Sequence, residues 1–240
     1  MLSVNKNVPP RDFQIYSRNS SSYIYDQTTG VIKGKDTWER FRGNRSIFRA
    51  LQNSLKEESF YLCTYCEKSI DGNNTGESQV FQIEHIFPKS LYPSLCLSYT
   101  NLVACCFGDD GISESRCGQK KGDYIPRITP FSNKVREKIE IKSNGLLVSS
   151  NSAMQDFIYN LNLNTQFLVD ARKDAISAKS GAFESLLKYI ASTDNVQVEQ
   201  RLINKFLDSI DQLNGVKKDE YSGFVRLYYE NLILNSNLIS

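Results

Sequence analysis

The sequence predicts an α+β chain in which a small, loop-rich, cysteine-bearing segment lies between helical regions. Three observations predict it. Hydrophobic residues recur at helical spacing over about 36–58, and again from about residue 152 onward. Between these regions, residues 60–123 contain turn residues, short β-like stretches, all six cysteines and the single histidine. We therefore expect a small functional segment held by helices on both sides.

Composition fits one globular unit with an ordinary core. The chain has 240 residues, of which 40% are hydrophobic and 23% are charged. A chain of this length can bury a core without disulfides. The formal net charge is only +2, so any role in nucleic-acid binding must rest on local patches of charge.

The termini and the cysteines together predict a cytoplasmic protein with no membrane role. The N-terminus lacks the apolar stretch of a signal peptide, and no apolar run approaches the roughly 20 residues that span a bilayer. In a reducing compartment, clustered cysteines indicate metal binding or catalysis more often than disulfides.

The pattern before residue 150 predicts three kinds of element. Residues 1–30 look irregular, and 36–58 predicts a helix whose arginines we interpret as a solvated face. Residues 71–76 predict a turn or loop between two short strands. Residues 138–141 and 146–148, joined through Asn144-Gly145, predict a β-hairpin. The arginines on the solvated face of the helix predicted over 36–58 are Arg40, Arg42, Arg45 and Arg49.

After residue 150 the pattern becomes helical. Apolar and small residues from Leu168 to Ile190, including Ala178 and Ala182, follow a three/four spacing that predicts one helical face. Two more helices are predicted over 195–213 and 217–234, divided near 214–215. The predicted units are therefore 1–59 (irregular segment plus helix), 60–125 (cysteine-bearing module) and 126–240 (hairpin plus helices).

The cysteine spacing predicts a structural zinc site. Cys63 and Cys66 supply two thiolates from one turn, and a tetrahedral Zn²⁺ needs two more. Cys117 is one candidate, and either Cys105 or Cys106 is the other. Four thiolates leave no open position for substrate. A redox pair at Cys63 and Cys66 is the alternative, but it requires a βαβ context that the loop-rich flanks do not supply. Cys96 and the remaining member of the adjacent pair are expected to be buried thiols.

Glu84 and His85 are candidates for metal-assisted phosphodiester hydrolysis. Histidine titrates near neutral pH and can take a proton from water, and a carboxylate is a hard ligand that suits Mg²⁺ or Mn²⁺. Adjacent strand residues point to opposite faces, so one can reach a metal while the other reaches water. Lys89, Lys120 and Lys121 are candidate phosphate contacts. A single histidine in a chain is usually structural. Because cysteine pairs flank His85, we expect it to be catalytic instead.

At these residues the sequence resembles the HNH endonucleases, whose ββα-metal site often accompanies a four-cysteine zinc module. The resemblance implies that His85 is the general base and that Glu84 is a metal ligand. Asn101 matches the middle position, which fixes the loop that holds the histidine. The family spacing from Asn101 selects Cys106 over Cys105 as a zinc ligand. The matching stretches are Ile83-Glu84-His85 through Pro88-Lys89, Tyr99 to Leu102, and Cys117 to Gly122.

The third position of the motif departs from the family. Many members carry Asn or His shortly after the last cysteine, whereas Gly118 and Gln119 follow Cys117 here. Gln119 is the candidate ligand, and Asp123 is a second one. This departure supports the competing hypothesis of a non-catalytic zinc-ribbon module that binds nucleic acid or a partner.

Further residues narrow the resemblance to the PtuB-type nucleases of Septu anti-phage systems, including those attached to retrons. The resemblance implies a defence effector that cuts DNA or RNA and is held in check by a PtuA-like ABC-type ATPase. A retron reverse transcriptase and its DNA are further partners that it implies. The residues concerned are Val4-x-Lys6, Tyr65-Cys66-Glu67, Lys89-Ser90, Gly122-Asp123, Leu161-Asn162-Leu163-Asn164, Leu168 and Arg172.

Overall fold

The helices and strands mix along the chain, as the sequence predicts. The computed structural model describes residues 4–72, 81–108, 114–132, 135–193 and 195–236. Within these ranges, no helix is long and apolar enough to cross a bilayer. The helices and strands there are α1 (Arg11–Arg18), α2 (Gly34–Gly43), α3 (Arg45–Glu58), β1 (Phe81–His85), β2 (Leu102–Cys106), α4 (Cys117–Lys121), β3 (Glu140–Ile141), β4 (Leu147–Val148), α5 (Ser152–Asn160), α6 (Gln166–Ser177), α7 (Ser180–Ile190), α8 (Val196–Ile210) and α9 (Ser222–Asn235).

The N-terminal region differs from the sequence prediction in two places. Helix α1 forms where an irregular segment was expected, because Pro10 sets the backbone just before the first turn and Phe13 is buried. The single helix expected over 36–58 is two helices. Asn44 leaves helical geometry (φ −83°, ψ 79°), and its N–H donates to the Phe41 carbonyl oxygen, which ends α2.

Helices α1 to α3 pack their aromatic side chains together. The rings of Phe13 and Phe41 lie 5.3 Å apart, and Trp38 lies 5.3 Å from Phe41. The expectation that the arginines face solvent is confirmed, since all four are exposed. These helices therefore present an apolar side to the sheet and a basic side to solvent.

Strands β1 and β2 form a two-stranded antiparallel sheet at the centre of the cysteine-bearing segment. The register pairs Phe81 with Cys106 and His85 with Leu102. Helix α4 packs against β2. The cysteine end and the histidine end of the sheet are thus opposite ends of the same short ladder. Most of the turn predicted over 71–76 lies outside the described residues.

The predicted hairpin is confirmed as β3 and β4, which pair antiparallel through Asn144-Gly145. Gly145 has φ +86°, a conformation that side chains disfavour, and a Cβ there would collide with the Val169 carbonyl oxygen on α6. The glycine is thus needed both for the turn and for the close approach of α6.

The C-terminal helices match the predicted pattern except that the face expected over 168–190 is divided. Helix α6 ends at Ser177 and α7 begins at Ser180, so Ala178 and Ala182 are exposed rather than aligned on one buried face. Helix α8 lies within its predicted range, and α9 begins five residues later and ends one residue later than predicted. Phe183, Phe206 and Tyr229 pack with ring centroids 4.9 to 5.4 Å apart.

Candidate functional site

Four buried thiols converge beside the end of β2. We call Cys63, Cys66, Cys106 and Cys117 the thiol cluster; their sulfur atoms all lie within 4.8 Å of one another. The Sγ atoms of Cys66 and Cys106 are 3.8 Å apart, and those of Cys63 and Cys117 are 3.9 Å apart. A tetrahedral zinc site with Zn–S bonds of about 2.3 Å has sulfur atoms about 3.8 Å apart. The donor set and its spacing therefore fit a structural Zn²⁺.

Each part of the cluster is held by backbone geometry. Cys63 and Cys66 lie in the turn after α3, which closes as the Glu67 N–H donates to the Cys63 carbonyl oxygen and Glu67 adopts φ +60°. Cys106 ends β2, and Cys117 begins α4. Cys105 lies at the border of the cluster, where its sulfur is 3.9 Å from that of Cys63 and accepts from the Gly118 N–H.

The C-terminal half of the chain supports the thiol cluster through hydrogen bonds. The Cys117 N–H donates to the Leu161 carbonyl oxygen at 2.8 Å. Arg172 is fully buried, and its guanidinium donates to the carbonyl oxygens of Gly145 and Leu163 at 2.7 and 2.9 Å. Burial lowers the pKa of Arg172 to about 10, and the charge of the Cys66 thiol opposes that decrease. Arg172 is thus a buried cation that interacts with Cys66 and Cys117, where it can offset the negative charge of a zinc–thiolate group.

The histidine end of β1 opens onto a cavity of about 270 Å³, which we call the His85 cavity. Glu84 and His85 both border it, although neighbouring strand residues were expected to face opposite sides. His85 ends β1, where the strand alternation stops. Charged, polar and aromatic side chains meet here in one concave surface. Its walls include Trp38, Arg42, Gln82, Glu84, His85 and Lys89.

His85 is held as a neutral imidazole. Its Nε2 lies 3.0 Å from the Cys96 carbonyl oxygen, which can only accept, so Nε2 carries the proton and Nδ1 is left as an acceptor. Its ring also meets the Trp38 ring edge to face at 4.5 Å. Burial lowers the pKa of His85 to about 4; the Cys96 carbonyl opposes this decrease, and the ammonium charges of Lys89 and Lys121 add to it. An imidazole in this state can accept a proton throughout the neutral range.

Glu84 lies between two cations. Its Oε1 accepts from the Lys121 ammonium at 3.2 Å, and the Lys121 side chain is only 1% exposed. Burial raises the pKa of Glu84, and the positive charges of Lys121 and Lys89 oppose that rise. Lys121 is therefore a buried partner of Glu84, whereas the sequence left it as either a surface lysine or a phosphate contact.

Asn101 closes the loop between the two strands. Its Oδ1 accepts from the Phe87 N–H at 2.8 Å, and its Nδ2 donates to the carbonyl oxygens of Phe87 and Leu95 at 3.0 and 3.1 Å. Asn101 is buried and does not border the His85 cavity. It therefore contacts the loop segment that also carries Cys96, the partner of His85.

Gly118, which follows the last cysteine, lies against the Glu84 side of β1. A Cβ on Gly118 would meet Glu84 Oε2 at 2.7 Å and Gln82 Nε2 at 3.0 Å. Gly118 and Lys121 share the face of α4 that points to β1, since residues three apart on a helix are neighbours. Gln119 is exposed, and Asp123 is exposed and accepts from Ser90 Oγ at 2.5 Å. Neither is hydrogen-bonded or ion-paired to Glu84 in the described part of the chain.

The candidate phosphate contacts separate into three environments. Lys89 is half-buried at the His85 cavity, Lys120 is exposed on α4, and Lys121 is paired with Glu84. Arg42 reaches the same cavity and pairs with Glu39 at 3.1 Å. The two side chains that bring positive charge to the cavity wall itself are thus Lys89 and Arg42.

Sequence reasoning missed Trp38, Arg42 and Gln82 as site residues. Trp38 and Arg42 come from a helix far away in the sequence, and no local signal places them beside His85. Gln82 could have been found, because it precedes Glu84 by two residues on a predicted strand and so shares its face. Together, the carboxylate and amide groups beside Gly118 offer oxygen atoms, the type of ligand that Mg²⁺ and Mn²⁺ prefer.

Comparison with known proteins assigns the chain to a family. No protein-family model matches it. It is 30% identical over 179 residues to a candidate HNH endonuclease of retron Vc95 from Vibrio cholerae serotype O1 biovar El Tor, covering 70% of this chain and 78% of that protein. It is 34% identical over 103 residues to Septu protein PtuB from Bacillus thuringiensis, covering 42% of this chain and 35% of PtuB. It is 27% identical over 115 residues to a candidate HNH endonuclease of retron Ec83 from Escherichia coli, covering 42% of each chain. This chain therefore belongs to the HNH endonuclease family and is close to PtuB.

Proposed function

We propose that the chain is a metal-dependent HNH endonuclease that hydrolyses phosphodiester bonds of DNA or RNA at the His85 cavity. The observation that carries the proposal is the state of His85. The imidazole is neutral, its Nε2 proton is held by the Cys96 carbonyl oxygen, and it borders the same cavity as Glu84. A binding surface has no need for a histidine kept unprotonated by burial.

In this proposal each residue of the His85 cavity has its own role in the reaction. His85 accepts a proton from the attacking water at Nδ1, while the bond from Nε2 to Cys96 keeps the ring in the required tautomer. Glu84 holds the divalent cation through the oxygen that Lys121 does not bind. That cation, Mg²⁺ or Mn²⁺, would stabilise charge on the phosphate and on the leaving oxygen.

The neighbouring residues position substrate and scaffold. Lys89 and Arg42 place positive charge at the wall of the cavity, where it attracts phosphate. Asn101 holds the loop that carries the hydrogen-bond partner of His85. We assign a Zn²⁺ to the thiol cluster, where it holds β2, α4 and the turn after α3 together. In this proposal the strand pair and α4 form the ββα-metal module of the family.

The biological part of the proposal rests on the relatives. Proteins of retron and Septu systems are similar to this chain. We therefore propose that the chain is the toxic effector of an anti-phage system, works with a PtuA-like ATPase, and joins a retron reverse transcriptase and its DNA where these are present.

The test is cleavage of duplex DNA, single-stranded DNA and structured RNA with Mg²⁺ or Mn²⁺, with and without EDTA. Wild type and His85→Ala are compared, each alone and with the ATPase. We expect metal-dependent cutting that falls about 10²–10⁴-fold in His85→Ala, the usual cost of losing a general base. Equal cutting by the two proteins would mean that another group is the base.

A zinc-ribbon binding module is the second candidate function, and the missing side chain at Gly118 is the observation that favours it. It predicts nucleic-acid or partner binding by zinc-loaded protein with no cutting of any substrate under any condition above. His85→Ala would then bind as tightly as wild type.

A further inference from the structure

The side chains of Gln82 and Glu84, on one face of β1, lie next to the space beside Gly118. Gln82 and Glu84 are two residues apart on the strand, so they point to the same side. Gln82 Nε2 and Glu84 Oε2 both lie within 3.0 Å of the point that a Cβ of Gly118 would occupy. We propose that Gln82, through its amide oxygen, supplies the cation ligand that the third motif position lacks, so that a divalent cation is held between Gln82 and Glu84 beside Gly118.

The two oxygens of Glu84 have different surroundings, and only Oε1 is paired with Lys121. Oε1 accepts from the Lys121 ammonium, and Oε2 borders the space beside Gly118. A cation bound to Oε2 does not require the ion pair with Lys121 to break. The positive charge of the buried Lys121 ammonium repels a bound cation. The affinity of the free protein for a cation is therefore expected to be weak.

Gln82 can present its amide oxygen at little cost. Among the described residues, its side chain makes one hydrogen bond, in which Nε2 donates to the Cys106 carbonyl oxygen at 3.5 Å, a long distance for such a bond. Half a turn of the amide exchanges its nitrogen and oxygen and brings the oxygen to the side that faces Glu84. An amide oxygen is a hard, neutral ligand of the kind that Mg²⁺ and Mn²⁺ accept beside one carboxylate.

Gln119 is the competing assignment, and the geometry of α4 separates the two. Gly118 and Lys121 face β1, whereas Gln119 is exposed on another side of the same helix. A substitution of either glutamine by methionine keeps the length of the side chain and removes its oxygen. Gln119→Met is thus a matched counterpart of Gln82→Met.

The experiment is a titration of zinc-loaded protein with Mn²⁺ alone, without substrate. Trp38 is the only tryptophan of the chain and borders the His85 cavity, so paramagnetic Mn²⁺ bound there should quench its fluorescence. Electron paramagnetic resonance counts the bound Mn²⁺ independently. Zinc content and thermal midpoint show that each variant is folded.

We expect saturable quenching in wild type and its loss in Glu84→Gln. Gln82→Met should weaken Mn²⁺ binding about 10–100-fold, the range seen when groups that support a metal are removed, and Gln119→Met should leave it unchanged. Gln82→Glu should bind more tightly than wild type, because a second carboxylate faces the cation.

The inference rests on the proposed function, and the outcomes keep the two apart. If Glu84→Gln abolishes binding while Gln82→Met binds within twofold of wild type, Gln82 is not a ligand and the metal-dependent nuclease stands. Weakening by Gln119→Met alone would assign the ligand to Gln119 and overturn the inference. If wild type shows no saturable binding, the inference about Gln82 is wrong, and the cleavage assay with and without EDTA decides the metal-dependent nuclease by itself. Should Gln82→Met fail to fold, unchanged affinity in Gln82→Glu would be enough to reject the role of Gln82.

Discussion

At the scale of single residues, burial decides what His85 can do. His85 is 4% exposed, and among the described residues its ring has one hydrogen-bond partner, the carbonyl oxygen of Cys96. A carbonyl fixes the tautomer without adding the negative charge that would raise the pKa of the ring. Trp38 closes the apolar side, and the charges of Lys89 and Lys121 add to the effect of burial. The result is a base that is always unprotonated near neutral pH.

The pKa of His85 predicts how stability depends on pH. The folded-state pKa of about 4 is below the ordinary value of 6.5, so the unfolded chain binds the proton more tightly. The stabilising contribution is therefore complete above pH 6.5 and is lost as the pH falls toward 4. A difference of this size corresponds to at most about 3 kcal/mol.

The measurement is the free energy of unfolding of wild type and His85→Gln between pH 7 and 5, without added Mg²⁺ or Mn²⁺. We expect the wild type to lose more stability over this window than the variant. Zinc loss at acid pH affects both proteins and cancels in the difference. Parallel curves would contradict a neutral, buried His85.

At the scale of elements, the short strands and α4 are too small to hold themselves in place. Strands β1 and β2 have five residues each, and so does α4. Isolated two-stranded sheets are marginal, and helices this short are unstable in water. The thiol cluster ties both strand β2 and helix α4 to the turn after α3. Bound zinc would therefore supply the stability that these elements cannot obtain from their own packing.

This predicts that two buried cysteines respond differently to the same substitution. Cys66 belongs to the thiol cluster, whereas Cys96 is equally buried and lies outside it. Cys66→Ser should lose zinc and most of its folded population, because structural zinc sites contribute about 10 kcal/mol or more. Cys96→Ser should keep stoichiometric zinc and lose only about 1–3 kcal/mol for a buried hydroxyl.

Zinc content and thermal midpoint, measured on the purified proteins, decide this prediction. Full zinc and a wild-type midpoint in Cys66→Ser would reject the structural zinc site. Zinc loss in Cys96→Ser would show that the cluster extends beyond the four thiols.

At the scale of the whole molecule, the C-terminal helices belong to the scaffold of the site. Leu161 bonds the backbone of Cys117, and Arg172 joins α6 to the hairpin turn and to the segment before α6. Glu67, in the turn after α3, accepts from the N–H groups of Gly223 and Phe224 at the start of α9. Removing α8 and α9 would therefore take these two donors from Glu67 and loosen the turn that carries Cys63 and Cys66.

Arg172 gives a test of this long-range support. Arg172→Met leaves two buried carbonyl oxygens without their donors, so we expect a loss of at least about 3 kcal/mol in the free energy of unfolding and faster zinc release to a chelator. Arg172→Lys keeps the charge but lacks the planar fork, so its loss should be intermediate. Arg201→Met, at an exposed position on α8, should change stability by no more than about 0.5 kcal/mol. If Arg172→Met is destabilised but releases zinc at the wild-type rate, the C-terminal helices do not support the thiol cluster.

Much of the fold follows from local pattern. The hairpin over Asn144-Gly145 and the approximate ranges of the last two helices were predicted. Turn formation and helical spacing depend on residues that are close together in the sequence. Besides α1, which forms where an irregular segment was expected, the predictions that proved wrong concern the points at which helices are interrupted. Asn44 divides α2 from α3, and the break before Ser180 divides α6 from α7. Both regions keep helical spacing across the break, so periodicity alone does not reveal where a helix ends.

The sequence by itself determined the types of chemical group in this protein, since thiols, one imidazole, carboxylates and amides are properties of residues and their spacing. It also pointed to the pair Glu84 and His85 and to three of the four cysteines that the fold brings together, and the family resemblance selected Cys106 as the fourth. Only the tertiary structure decided which groups meet. It brought Trp38 and Arg42 to the cavity from a distant helix, buried Lys121 against Glu84, and set Gln82 beside Gly118. The reason is physical: a ligand position or a shifted pKa depends on burial and distance in space, and these are set by packing between segments far apart in the chain.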